Sequence, residues 1–129
     1  MIKVAIVDDH AIVRTGLRQF LSEQVDLRVT GEAANGREAL ELARAGETDV
    51  MLMDLSMPEH GGVDALAAIK ARFPDLHILI LSGFPEAHYA TTLLRQGASG
   101  YINKEADPEE IVKAIRTVAL GRRYITPAV

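Results

Sequence analysis

Five short apolar runs alternate along the chain with five stretches in which apolar and polar residues are mixed. The runs are Ile2 to Val7, Leu27 to Ala33, Val50 to Met53, His77 to Leu81 and Gly100 to Ile102. All except the second are almost continuously apolar, which is typical of strands buried on both faces of a sheet. We therefore predict five strands at these positions.

The stretches between the runs repeat their apolar residues at helical spacing. In the first stretch Val13, Leu17 and Leu21 share one face, and the last stretch has the same pattern. Asp107 and Pro108 have the residue types preferred at a helix N-cap and first helical position. Regular alternation of strand and helix predicts an α/β fold with a parallel sheet and right-handed crossovers. The predicted helix ends are marked by Gly46, Pro74, Gly97 and Gly121.

The composition limits the classes of function. A chain of 129 residues, 48% of them hydrophobic, has the size and core of one domain. Its net charge of -4 argues against nucleic-acid binding by these residues alone, since phosphate contacts need clustered lysine and arginine. The chain has no cysteine and no apolar stretch near the ~20 residues that span a bilayer. We expect a soluble, cytoplasmic protein that does not contact membrane.

Polar side chains follow the predicted strands where each strand ends. Asp8 and Asp9 follow the first strand, and Asp54 follows the third. Ser82 ends the fourth strand and Lys104 ends the fifth. The carboxyl ends of parallel strands meet at one edge of the sheet, which is where such folds bind ligands. We therefore expect these five side chains to converge there.

Three carboxylates in apolar surroundings repel one another unless a cation lies between them. Mg²⁺ suits a site with carboxylates, a carbonyl and several waters. A metal-bound carboxylate such as Asp54 can attack phosphorus and form an acyl phosphate. The ammonium group of Lys104 and the hydroxyl of Ser82 would then stabilise the phosphoryl oxygens.

Each residue alone has an ordinary structural explanation. An aspartate after a strand is often a helix cap or turn former, as for Asp8 or Asp54. A lysine at a strand end, such as Lys104, is usually solvated, and Ser82 with Gly83 is usually a turn. His10 follows two candidate ligands, but Mg²⁺ prefers oxygen, so a cap or packing role is favoured. The joint arrangement is harder to explain without a ligand, because burying such groups unpaired costs stability.

Taken together, four short motifs resemble the response-regulator receiver family of two-component signalling. They are Val-Asp-Asp-His at 7–10, Asp-Leu-Ser-Met-Pro at 54–58 with Gly61-Gly62, Leu-Ser-Gly at 81–83, and Gly-Tyr-Ile-Asn-Lys at 100–104. Each motif is weak alone, but all four occur in the right order at strand ends. The resemblance implies a doubly wound, flavodoxin-like (CheY-like) fold with five parallel strands in the order 2-1-3-4-5 and five helices.

The resemblance also implies a role for each site residue. Asp54 is the phosphoacceptor, and Mg²⁺ or Mn²⁺ is held by Asp9 directly, by Asp8 often through water, by Asp54 and by the backbone carbonyl of Ser56.

The resemblance further implies which residues respond to the phosphoryl group. Lys104 contacts the phosphoryl group, and the backbone of Ser56 and Gly83 faces it. Ser82 and Tyr101 form the switch, in which the hydroxyl moves toward phosphate and the aromatic ring follows.

Within the family, the chain is similar to the NarL/FixJ-type transcription regulators. Asp-Asp-His at the first strand end and the sequence from 120 to 129 carry this similarity. It implies a receiver domain at 1–121 and, at 122–129, the start of a linker to a helix-turn-helix DNA-binding domain that these residues do not include. We expect a sensor histidine kinase as phosphodonor, DNA contact only through that further domain, and a homodimer through the first and fifth helices.

Several other functions compete with a phosphorylation switch. A stand-alone receiver acting by protein–protein interaction is one alternative, and a pseudo-receiver that only binds partners is another. A hydrolase of the haloacid dehalogenase type would also use a strand-end aspartate and Mg²⁺. It would need a second aspartate two residues after Asp54, where the chain has Ser56. Dinucleotide binding is disfavoured because no Gly-x-Gly-x-x-Gly follows the first strand.

Overall fold

The five apolar runs form parallel strands at the center of the molecule. The structure is a computed structural model that describes residues 1–54, 62–82 and 93–125, with the backbone alone for 62–64. The strands are β1 (Ile2–Val7), β2 (Leu27–Ala33), β3 (Val50–Asp54), β4 (His77–Ser82), β5 (Gly100–Asn103) and β6 (Tyr124–Ile125). Three of the predicted strands extend one residue further, so that Asp54, Ser82 and Asn103 are their last residues.

Helices lie where the apolar spacing predicts them. They are α1 (Ala11–Ser22), α2 (Gly36–Ala45), α3 (Gly62–Arg72), α4, of which residues 93–95 are described as helical, and α5 (Pro108–Ala119). Asp107 is the N-cap of α5 and Pro108 opens the helix, as predicted. Gly46, the C-cap of α2, has φ +74°, a left-handed conformation that glycine adopts without steric cost.

Among the described residues the sheet has six strands, so the prediction of five was wrong. The order is β2-β1-β3-β4-β5-β6, and β6 pairs in parallel with β5 through Gly100 with Tyr124 and Tyr101 with Ile125. Two residues are too short to show any hydrophobic period, and they lie within the segment predicted as the start of a linker. A side chain at Gly100 would meet the Tyr124 carbonyl oxygen at 2.5 Å, so glycine there permits the approach of β6.

Two apolar layers cover the two faces of the sheet. On one face α2, α3 and Leu93 pack against β1, β3 and β4. On the other face α1 and α5 pack against side chains that include Val4, Leu52 and Ile102. Helices on both faces make the fold doubly wound, as predicted. Because β1, β3, β4 and β5 all run in parallel, their carboxyl ends meet at one edge, where the candidate site lies.

Candidate functional site

The strand ends bring the predicted polar residues to one edge of the sheet. Asp8 directly follows β1, and its backbone N–H donates to the carbonyl of Ala33 at 2.9 Å. Asp54 is the last residue of β3. Lys104 directly follows β5, and its N–H donates to the carbonyl of Ser82 at 2.8 Å. Backbone hydrogen bonds to neighbouring strands therefore fix the positions from which the Asp8 and Lys104 side chains project.

Asp8 is almost completely buried, with 1% of its surface exposed. Its Oδ1 accepts a hydrogen bond of 2.8 Å from the backbone N–H of His10, which fixes the carboxylate against the start of α1. Its Oδ2 accepts no hydrogen bond within the described part of the chain, although the Lys104 ammonium lies 3.3 Å away as an ion pair. A buried carboxylate oxygen in this position is costly unless a cation approaches it.

Asp54 is as deeply buried as Asp8 and contacts the same ammonium group. The Lys104 Nζ donates to Asp54 Oδ2 at 3.0 Å. Burial alone lowers the pKa of Lys104, but the hydrogen bond and the negative charge of Asp54, helped by Asp8, outweigh it and raise that pKa above its ordinary value. Lys104 therefore stays protonated and compensates part of the negative charge at this edge.

Asp9 completes the group of carboxylates, and its Oδ1 also accepts no hydrogen bond among the described residues. His10 is the N-cap residue of α1, which agrees with the predicted helix start, but its side chain makes no capping hydrogen bond. Instead the imidazole Nδ1 lies 3.0 Å from Asp9 Oδ1 and 3.1 Å from Asp8 Oδ1. The sequence predicts a cap or packing role for His10, and it gives no sign of this contact with both carboxylates.

A divalent cation fits this donor set. Asp8, Asp9, His10 and Asp54 each offer one ligand atom, and the four atoms lie within 4.8 Å of one another. Around an octahedral Mg²⁺ with bonds of about 2.1 Å, ligand atoms lie about 3 to 4 Å apart. Two buried carboxylate oxygens without a hydrogen bond among described residues are the donors that a hard cation prefers.

Arg14 is a site neighbour that sequence reasoning missed. Its guanidinium group donates to the backbone carbonyl of Asp8 and also pairs with Glu32, at 3.3 Å from Nε to Oε1. The first turn of α1 is thereby tied to both β1 and β2. Helical spacing alone does not reveal this contact, because it depends on the three-dimensional path of residues 8–14.

The predicted switch residues are both in the interior. Ser82 and Tyr101 each have 0% exposed surface. Ser82 pairs with Asn103, and Tyr101 lies in β5 between Ile80 and Ile125 of the neighbouring strands. The other two predicted site residues, Ser56 and Gly83, lie outside the described residues.

Comparison with known proteins agrees with this arrangement. The family described as "Response regulator receiver domain" matches residues 4–116. The chain belongs to this family. Its curated relatives place it in the NarL/FixJ type: the response regulator GacA of Pseudomonas aeruginosa is 43% identical over 129 residues, which are all of this chain and 60% of GacA. The receiver chain therefore spans less than two thirds of that relative's length.

Solved structures agree with both the fold and the type of receiver. A LuxR-family two-component response regulator from Aurantimonas sp. SI85-9A1 superposes with a TM-score of 0.92 at 37% identity, covering 97% of this chain and 89% of that chain. The receiver domain of a putative response regulator NarL from Mycobacterium tuberculosis gives 0.88 at 36% identity, with 94% and 98% covered. In the described part of this receiver, no helix has the length and apolar character needed to cross a membrane.

Proposed function

We propose that this receiver domain accepts a phosphoryl group on Asp54 from a sensor histidine kinase. The observation that carries the proposal is the contact of a buried Asp54 carboxylate with the Lys104 ammonium, beside Asp8 and Asp9. A carboxylate oxygen of Asp54 attacks phosphorus as the bond between phosphorus and the kinase histidine nitrogen breaks. The product is an acyl phosphate on Asp54 and a free imidazole on the kinase.

A divalent cation, Mg²⁺ or Mn²⁺, completes the proposed site. Asp8, Asp9, Asp54 and the backbone carbonyl of Ser56 would hold it, and their oxygens are the ligand type that Mg²⁺ prefers. When bound, it neutralises charge on the phosphoryl oxygens. In this proposal the domain assists only its own phosphorylation and dephosphorylation and turns over no separate small substrate.

Lys104 and the backbone at Ser56 and Gly83 contact the transferred group in this proposal. The ammonium of Lys104 exchanges part of its contact with Asp54 for a phosphoryl oxygen, which moves positive charge toward the new dianion. Ser82 then donates its hydroxyl to the phosphoryl group and Tyr101 follows. Phosphate biases this equilibrium only through contacts that differ between the two states.

The output of the proposed switch is control of transcription. We propose that 1–121 form the receiver and that 122–129 begin the connection to a helix-turn-helix DNA-binding domain. The support is the type of relatives that match, since this chain covers 60% of GacA. DNA contact is then made through that further domain, in which two recognition helices can meet two half-sites when receivers pair.

We further propose that receivers pair through α1 and α5. Arg14 and Arg116, whose charges lie on these helices, already pair with Glu32 and Asp26 of the same chain. Ile12, by contrast, is 88% exposed at the start of α1 and offers apolar area to a second copy. Sedimentation of the beryllofluoride-treated protein should show dimers. Ile12→Lys should disrupt these dimers, and the loop variant Val25→Lys, the control, should not. A protein that stays monomeric with and without beryllofluoride would contradict pairing.

Acetyl phosphate, a small phosphodonor, tests the central proposal without the kinase. Intact-mass measurement should show one added phosphoryl group in Mg²⁺ and none after chelation with EDTA. Asp54→Asn should remove the label, because the amide cannot form the acyl phosphate. Undiminished labelling of Asp54→Asn would overturn the assignment.

A further inference from the structure

The imidazole of His10 lies against the carboxylates of the proposed metal site. Its Nδ1 is 3.0 Å from Asp9 Oδ1 and 3.1 Å from Asp8 Oδ1. The backbone N–H of the same residue donates to Asp8 Oδ1 at 2.8 Å, and its carbonyl accepts from the N–H of Arg14 at 3.1 Å. The ring therefore projects from a backbone position that is fixed on both sides.

The spacing of the nitrogen matches that of a ligand atom. The four ligand atoms of Asp8, Asp9, His10 and Asp54 all lie within 4.8 Å of one another. Adjacent ligand atoms of an octahedral ion with bonds of about 2.1 Å are about 3 Å apart, close to the separation of Nδ1 from the two aspartate oxygens. Two buried carboxylate oxygens, Asp8 Oδ2 and Asp9 Oδ1, accept no hydrogen bond among the described residues, which is a second sign that this cleft takes a cation.

We infer that His10 is a metal-selecting residue of this receiver, supplying an imidazole nitrogen to divalent transition metals of the Ni²⁺ and Zn²⁺ class. Mg²⁺ takes oxygen ligands almost without exception, so it gains nothing from the ring. Imidazole suits Ni²⁺ and Zn²⁺, which also bind more tightly than earlier metals to a given nitrogen and oxygen site. His10 thus widens the range of metals that compete for the phosphorylation site. This inference rests on the metal site proposed above.

A different role for the ring gives a different result. His10 could act only as a counter-ion to Asp8 and Asp9, since 61% of its side chain is exposed. In that case removing the ring would leave more negative charge for any incoming cation, and every divalent metal would bind as well or better. Loss of binding that is confined to nitrogen-preferring metals separates ligation from charge.

Calorimetric titration with Ni²⁺ and with Mg²⁺ tests the inference on the intact chain. His10→Ala should weaken Ni²⁺ binding by about tenfold or more, which is the usual effect of losing a metal ligand or the residue that supports it. Mg²⁺ binding should change by less than about twofold, because Mg²⁺ does not use the imidazole. His10→Asn should weaken Ni²⁺ binding to a similar extent. Because asparagine is favoured at helix N-caps, this variant excludes a loss of α1 stability as the cause. His77→Ala, at the opposite end of β4, should change neither affinity.

Two further measurements separate failure of the inference from failure of the site. Asp9→Asn should weaken the binding of both Ni²⁺ and Mg²⁺. If Mg²⁺ does not bind the unmodified protein, the proposed metal site fails as well. In histidine-labelled protein, Zn²⁺ should shift the Nδ1 resonance of His10 in long-range ¹⁵N spectra and leave His77 unmoved. Unchanged Ni²⁺ affinity in His10→Ala, tighter binding of both metals, or an unmoved Nδ1 resonance would each overturn the role of His10.

Discussion

The ammonium group of Lys104 lies 3.0 Å from Asp54 Oδ2 and 3.3 Å from Asp8 Oδ2, so one cation joins the ends of β1, β3 and β5. Both carboxylates are buried, while 24% of the Lys104 side chain is exposed. Removal of this cation would leave two buried negative charges without their common partner. This relationship links the stability of the domain to the chemistry proposed for it.

Lys104→Met should lower the free energy of unfolding by about 1–3 kcal/mol, the cost of leaving a buried charged acceptor unpaired. Chemical denaturation at neutral pH without metal measures it. Saturating Mg²⁺ should recover part of the loss, because the metal supplies positive charge to the same carboxylates. Lys113→Met, on the exposed side of α5, is the matched control and should leave stability unchanged.

The stability lost in Lys104→Met should depend on pH, because the pKa of Lys104 is raised in the folded protein. A cation whose pKa is raised on folding contributes its stability fully below the unfolded value, about 10.4, and loses it as pH rises through the folded value. The stability difference between the parent protein and Lys104→Met should therefore be constant from pH 7 to about pH 10 and narrow above it. A difference that grows at alkaline pH would show that the interaction with Asp54 is not the cause.

Asp9→Ala should weaken Mg²⁺ affinity more than Asp8→Ala. Asp8 Oδ1 already accepts the His10 N–H, and its Oδ2 lies 3.3 Å from the Lys104 ammonium, on a side chain that is 2% exposed. The Asp9 side chain is 24% exposed, and its Oδ1 lies 3.0 Å from the imidazole of His10 without accepting a hydrogen bond among the described residues. Asp9 is therefore the freer donor for a direct bond to the metal. Calorimetric titration of the two variants decides the order, and equal losses would argue against separate roles.

Ser82→Ala should still be phosphorylated at Asp54 but should respond less to it. The hydroxyl is buried at the end of β4, within the proposed switch, and it is not the group that attacks phosphorus. Amide shifts of β5 on beryllofluoride binding should be smaller than in the parent protein, and Ser82→Thr should restore them. Identical shifts in Ser82→Ala would exclude the hydroxyl from the switch.

Gly100→Ala should detach β6 from the sheet. The added Cβ would lie 2.5 Å from the Tyr124 carbonyl oxygen and 2.8 Å from Leu79 Cδ1, and overpacking of this kind costs about 1–3 kcal/mol. The Tyr124 amide, which donates to the Ser99 carbonyl, should then exchange with solvent at least tenfold faster. Such a change lowers the free energy of local opening by about 1.4 kcal/mol. Gly16→Ala, with no atom within 4 Å, is the control and should not change this exchange rate.

The sequence predicted the parts of the fold that depend on repeated local pattern. Runs such as Val50 to Met53 are apolar throughout and became strands buried on both faces. Asp8, Asp54 and Lys104 could be placed at one edge because parallel strands end together. Three strands extend one residue beyond the predicted ends because Asp54, Ser82 and Asn103 are polar but still pair in the sheet.

The features that the sequence did not predict depend on contacts between distant residues. Tyr124 and Ile125 form β6 because Gly100, far away in sequence, leaves room for them. The ring of His10 and the guanidinium of Arg14 reach the site through side-chain directions that no spacing rule encodes. The site is thus predictable in its strand-end residues and unpredictable in the side chains that reach it from α1.

Reductive trapping of the phosphorylated protein identifies the phosphoacceptor residue itself. After treatment with acetyl phosphate in Mg²⁺, borohydride reduces an aspartyl phosphate to homoserine, and peptide mass spectrometry locates the converted residue. We predict homoserine at position 54 and at neither Asp8 nor Asp9, with no conversion when Mg²⁺ is chelated. Homoserine at Asp8 or Asp9, or an unchanged Asp54 in protein that carries the label, would contradict it.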